Sequence, residues 1–144
     1  MNPTADLPDL NVWLALTWPE HSHHQQAVHY WEQQAADQVL FCTVTALGLV
    51  RLVCQPKLMG TAVKNAAQAS ALLDALCQQM GVQLAEPEHS SWEVFHQLLR
   101  GGEHQARHCT DAHLAALAIA NGWRLVSFDR DFERFDGLQW LLLP

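Results

Sequence analysis

Asp9, Asp111, Asp129 and Asp131 each stand where an apolar run meets the next segment of this chain. The stretch RLVSFDRDFERF, residues 124–135, poses the question most sharply. Leu125, Val126 and Phe128 read as a short buried strand, and the acids begin where it stops. A carboxylate there costs free energy unless water, a cation or a hydrogen-bond donor compensates it. Asp111 opens the segment TDAHLAALAIANG (110–122), and Asp9 precedes the run VWLALTW (12–18). Oxygen-only donors of this kind suit hard divalent cations such as Mg²⁺ or Mn²⁺. One ion on Asp9 and Asp111 would activate a water for in-line attack on phosphorus, with Asp129 and Asp131 completing the shell or holding a second ion. Asp9, Asp111 and Asp129 are then the catalytic acids. Asn11 is placed to orient the first acid by hydrogen bonding. Thr43 and Thr45, at the end of a strand, are candidates to bind a phosphate or a water on the metal. Arg51, inside the apolar run GLVRL, is expected to pair with a carboxylate at the edge of the site. The bland alternative for each acid is a solvated turn, or a first-turn residue favoured by the helix dipole.

The elements that must position these residues follow from periodicity. Helices are expected over 12–18, 22–36, 45–54, 61–80, 90–99 and 110–122. For the fourth, Val63, Ala66, Ala67, Ser70, Leu73, Cys77 and Met80 share one face and Gly81 caps the end. Thr110 is the expected N-cap of the last, and Gly122 its stop. Strands are expected at 39–44, 82–84 and 124–128, with a short, polar first strand before Asp9 and a final run LQWLLL. Alternating strands and helices imply a single α/β domain over residues 1–144, with a mainly parallel sheet covered on both faces. In such sheets, sites form outside the carboxyl ends of the strands, where all four acids fall.

Composition narrows the function. A net charge of −7 excludes a protein that wraps nucleic acid by charge alone, but not a nuclease whose acids hold cations. No apolar run approaches the roughly 18 residues of a membrane span, and MNPTADLPDLNVW lacks the features of a signal peptide, so a cytoplasmic protein is expected. Cys42, Cys54, Cys77 and Cys109 form no C-x-x-C pair and read as free thiols in a reducing compartment. Six tryptophans in a chain that is 49% apolar point to a greasy surface and hence a protein partner.

DLNVWLAL, VTALGLVRL and TDAHLAALAIANGWRLVSFDRDF, in that order, resemble the PIN-domain ribonucleases, and in particular the VapC-type toxins of bacterial toxin–antitoxin pairs. EHSHHQQAVHYW is similar to the family's second helix. The resemblance implies a three-layer α/β/α domain that forms a homodimer, cleaves RNA with Mg²⁺ or Mn²⁺, and is held by an antitoxin blocking its acidic groove. It also implies that Asp9, Asp111, Asp129 and Asp131 are the acidic cluster, with Asp6 a weaker alternative to Asp9. In VTALGLVRL, Ala46 stands where many members carry Glu. One carboxylate fewer implies weak metal affinity. It keeps a second reading open, an inactive PIN scaffold that only binds RNA or protein.

Other chemistries fail on spacing. A D-x-D phosphatase nucleophile belongs on a first strand, whereas only 13 residues follow Asp131. An EF-hand loop starting at Asp129 would need Gly where Arg134 stands. His21 and His24 are i, i+3, not the i, i+4 of a helical zinc pair, so these histidines and His23 read as surface or packing residues. His104, His108 and His113 flank the proposed site. His113, two residues past Asp111, points elsewhere on the helix, toward RNA or a dimer partner.

Overall fold

A computed structural model describes residues 4–85 and 89–144. The chain runs β1 (Ala5–Pro8), α1 (Leu10–Thr17), α2 (His24–Gln33), β2 (Gln38–Phe41), α3 (Thr43–Val53) and α4 (Pro56–Met59). It continues through α5 (Ala66–Cys77), β3 (Val82–Leu84), α6 (Ser90–Arg100), α7 (Cys109–Asn121), β4 (Arg124–Ser127) and β5 (Trp140–Leu142). The five strands are all parallel, in the order β3-β2-β1-β4-β5. Every crossover therefore carries helix or loop over the sheet, and both faces are covered, as the alternation implied.

The layers can be read from side-chain parity along the strands. Leu7, Leu40 and Leu125 point to the face covered by α7, where Leu114 and Leu117 meet them. Val39 and Phe41 point to the other face, against Trp13 and Leu14 of α1 and Leu49 of α3. Trp13 stacks on Phe41 with ring centroids 3.8 Å apart, an offset arrangement worth roughly 1 kcal/mol beyond its buried area. Val12, Tyr30 and Val126 join α1 and α2 to β4. Ala27 and Tyr30 are the buried residues of α2, which has no other fully buried side chain.

Three element boundaries differ notably from the periodic reading. The expected helix over 61–80 is broken. After α4 comes a tight turn at Gly60–Ala62, and α5 begins only at Ala66, where Asn65 accepts a hydrogen bond from the Gln68 amide at 2.8 Å and Gln68 answers at 2.9 Å. A reciprocal capping box is a strong local start signal, and it overrides the apolar stripe that extends back to Val63. Gly81 lies beyond that helix at φ 84°, where a Cβ would sit 2.5 Å from the Asp37 carbonyl, so only glycine fits this close approach to β2. The second strand ends at Phe41 rather than residue 44, because Cys42 and Thr45 together cap α3. The last helix starts at Cys109, one residue before the expected N-cap Thr110.

Asp6 does not belong to the cluster of acids. It is fully buried in β1, where Arg124 of β4 donates to it from Nε at 2.8 Å and from a terminal nitrogen at 3.0 Å. The Ala36 amide donates at 3.0 Å, and the Tyr30 hydroxyl donates as well. Burial beside this carboxylate raises the Tyr30 pKa, so the phenol stays a donor. A polar residue in a central strand is tolerated because both carboxylate oxygens accept hydrogen bonds and its charge is paired.

Candidate active site

Parallel pairing of β1 with β4 sets Pro8 opposite Val126, so the residues that follow each strand share one edge of the sheet. Asp9 follows β1 and caps α1. Its Oδ1 accepts from the Leu10 amide at 2.7 Å, and its own amide donates to the Val126 carbonyl at 2.8 Å. Asp9 is 9% exposed. Burial raises its pKa, the bonds from Leu10 and Ser127 lower it, and the charge of Asp129 raises it.

Ser127, the last residue of β4, is the link that sequence reasoning missed. Its hydroxyl donates to Asp9 Oδ2 at 3.0 Å and accepts from the Asp129 amide at 2.9 Å. One buried hydroxyl thus holds the first acid and the backbone of the last. The signal in V-S-F-D was a polar residue closing an apolar strand immediately before an acid. Asp129 then accepts from the Asp131 amide at 2.8 Å and starts a short 3₁₀ turn, Arg130–Arg134.

Asp111 lies in the first turn of α7. That helix precedes β4 and runs back across the sheet, so its start returns to the same edge. Burial pushes the Asp111 carboxyl from its ordinary 3.8 up to about 6, with further increments from the charges of Asp9, Asp129 and Asp131. Arg134 pulls in the opposite direction. The four acids named from the sequence thus lie along one edge, near enough for Asp9, Asp129 and Asp131 to act electrostatically on Asp111.

The supporting residues fare differently. Asn11 is exposed on α1 and makes no bond to Asp9; the orienting bond comes from Ser127 instead. Thr45 is fully buried, and its hydroxyl is shared between the Cys42 amide at 3.0 Å and the Cys42 carbonyl at 3.2 Å, so it caps α3 rather than facing a phosphate. Thr43 is exposed at the start of α3 and lines a groove with Thr110. Arg51 is exposed in the last turn of α3 and makes no ion pair among the described residues; its charge complements the helix C-terminus. Ala46 is 4% exposed and belongs to the core cluster that holds Trp13, Phe41 and Leu49. The α3 position turned toward the start of α1 is Gly48, where a Cβ would lie 2.7 Å from Leu10 Cδ2.

Arg134 is the second residue the sequence did not single out. Its guanidinium lies 3.9 Å from Asp131 Oδ1 and 3.1 Å from Nδ1 of His108. Burial and the charges of Arg134 and Arg107 lower the His108 pKa, which keeps that imidazole an acceptor.

The donor set fits a hard dication in kind, since it is made of carboxylate oxygens that repel one another. Among the described residues, no three His, Cys, Asp or Glu side chains close round one point. An ion held by these acids as they lie would keep much of its water, which Mg²⁺ does readily.

The family model of the PIN domain matches residues 7–138. Ribonuclease VapC37 of Mycobacterium tuberculosis is 31% identical over 134 residues, covering 92% of this chain and 92% of its own. Ribonuclease VapC39 of the same organism is 34% identical over 129 residues, covering 85% and 87%. Solved structures share the fold at low identity. VapBC-1 from nontypeable Haemophilus influenzae superposes with a TM-score of 0.70 at 14% identity, over 96% of this chain and 97% of that one. The sarcin-ricin loop cleaving toxin VapC20 of M. tuberculosis superposes with a TM-score of 0.66 at 17% identity, over 93% and 98%. The ordered acids, the parallel sheet that gathers them and these likenesses agree: the chain belongs to the PIN-domain family, among its VapC-type ribonucleases.

Proposed function

We propose that the chain is a metal-dependent endoribonuclease and the toxin of a toxin–antitoxin pair, with Asp9, Asp111 and Asp129 as its catalytic acids. The observation that carries this is that acids from three separate segments lie along one sheet edge, where burial first and the charges of its neighbours second hold Asp111 at about 6. Asp9, Asp111, Asp129 and Asp131 would hold Mg²⁺ or Mn²⁺, which supplies charge neutralisation at the phosphate and a more acidic water. Ser127 fixes the Asp9 carboxylate, so this acid needs no reorganisation when substrate arrives. Arg134, at the rim of the cluster, balances part of its charge and is placed to meet a phosphate oxygen.

The partners are an antitoxin, the RNA substrate and a second copy of the chain. A groove of about 450 Å³ with mostly apolar walls, including Val44, Trp92, Phe95 and Leu117, supports the last, as does Leu47 at 53% exposure. Among the described residues no helix is long and apolar enough to cross a membrane.

Single-stranded RNA incubated with the purified protein tests the reading. Mg²⁺ or Mn²⁺ should support cleavage and EDTA should stop it. Asp9→Asn and Asp111→Asn should each lose at least roughly a hundredfold in kcat/KM, as expected for loss of a charged group acting in the transition state. RNA binding with no cleavage under any dication would favour the inactive scaffold instead.

A further inference from the structure

The loop between α1 and α2 and the end of β4 border an open cavity of about 440 Å³ lined by Asn11, His21, His23, Phe128, Asp129 and Arg130. Aromatic rings follow one another along it. Trp18 meets His21 edge-on at 5.9 Å between centroids, His21 lies 5.8 Å from His23, and His23 lies 4.6 Å from Phe128 at an interplanar angle of 32°. This line of rings runs from the end of α1 to the residue before Asp129. Nδ1 of His23 is buried and has no hydrogen-bond partner. Burial and the neighbouring imidazoles lower the His21 pKa, so its ring is neutral at neutral pH.

A metal is the wrong occupant. Nδ1 of His21 accepts from the His23 amide at 3.0 Å, and Nδ1 of His24 faces the Ala15 carbonyl at 2.7 Å. Among the described residues no three potential ligands gather here. Adjoining aromatic and imidazole rings, an amide on exposed Asn11 and one guanidinium on exposed Arg130 suit a different ligand. Single-stranded RNA is recognised by stacking of unpaired bases on aromatic and histidine rings and by hydrogen bonds to base edges.

We propose that this cavity is a nucleobase subsite, taking the base of the RNA nucleotide next to the scissile phosphate. The inference rests on the ribonuclease reading above. Because Asp129 is shared by the cavity and the acidic cluster, a base seated against Phe128 and His23 leaves its phosphate at the carboxylates. Asn11 then addresses the base edge, and Arg130 a flanking phosphate. A chain of net charge −7 exerts little general pull on RNA, so its hold on the strand must come from local contacts of this type.

The test is the cleavage pattern on a randomised single-stranded RNA with Mn²⁺, for the parent, His23→Ala and Arg130→Ala. His23 forms no side-chain cap to α2, so its removal takes only its ring contacts with His21 and Phe128 and should leave the protein folded. The parent should favour one base at one position beside the cut. His23→Ala should flatten that preference and raise KM about tenfold, the loss expected for one stacked base. Fluorescence anisotropy of a labelled oligoribonucleotide on metal-free Asp111→Asn, with and without His23→Ala, should show the same weakening without any turnover. Asn11→Ala, at an exposed position, repeats both measurements if His23→Ala does not fold. A parent that cuts RNA while the variants keep its base preference and affinity overturns the subsite alone. A parent that neither cuts nor binds RNA overturns the ribonuclease reading and the subsite with it.

Discussion

Asp111→Asn should make the metal-free protein more stable, although it removes the activity. The Asp111 carboxyl is held at about 6 against an ordinary 3.8, so between these values the folded state binds a proton that the unfolded state has released. Stability of the parent therefore falls as pH rises through this window, and the penalty is complete above about pH 6. At 1.36 kcal/mol per pH unit, the full displacement corresponds to about 3 kcal/mol. Asp111 is only half-buried, and its neighbours Asp129 and Asp131 are exposed, so screening reduces the realistic figure to roughly 1 kcal/mol. Asparagine carries no charge and escapes the penalty. Urea denaturation in EDTA should show the variant about 1 kcal/mol more stable at pH 7.5, with the difference vanishing below about pH 4 and shrinking in high salt. Saturating Mn²⁺ should reverse the order, since ligand at roughly tenfold its Kd stabilises the parent by about 1.4 kcal/mol. A variant that is less stable than the parent, or a difference that is the same at pH 4 and pH 7.5, would refute the claim that burial and the neighbouring charges hold the Asp111 carboxyl up.

Three further outcomes follow from named contacts. Ser127→Ala should lower kcat by about tenfold or more through misplacement of Asp9, while circular dichroism melts show a loss of only about 1 kcal/mol, because two hydrogen bonds go but no cavity of note is left. Asp6→Ala should cost roughly 3–5 kcal/mol in urea denaturation, since it leaves Arg124 and Tyr30 without their buried partner; an equally stable variant would show that the network contributes nothing. Ala46→Glu should destabilise by several kcal/mol and leave calorimetric Mn²⁺ affinity no higher than the parent's, because residue 46 lies among Trp13, Phe41 and Leu49; tighter binding would mean that α3 presents another face to the acids.

The order of elements and the four acids were legible because they depend on local rules. Alternating apolar strands and amphipathic helices imply a parallel sheet, and a parallel sheet sends every strand end and the start of every crossover helix to the same edge. Acids at strand ends and at a helix start could thus be assigned to one place before any coordinates. Local chemistry also explains the one helix misread: a capping box at Asn65 and Gln68 outweighs an apolar stripe, and both signals were in the chain. What tertiary structure alone decided is which polar groups meet across the sheet. Asp6 and Asp9 lie three residues apart in one segment, yet Asp6 is neutralised by Arg124, 118 residues away, while Asp9 meets Ser127, also 118 residues away. The register of β1 against β4 sorts them: Asp6 pairs opposite Arg124 within the ladder, and Asp9 follows its last pair, where Ser127 reaches it. The same holds on α3, where a helix supplies candidates every turn and only its packing against α1 and β2 turns Ala46 into the core and Gly48 toward Leu10. Burial, charge and partner are properties of three-dimensional neighbours, so the residue types were written in the sequence while their roles were settled by the fold.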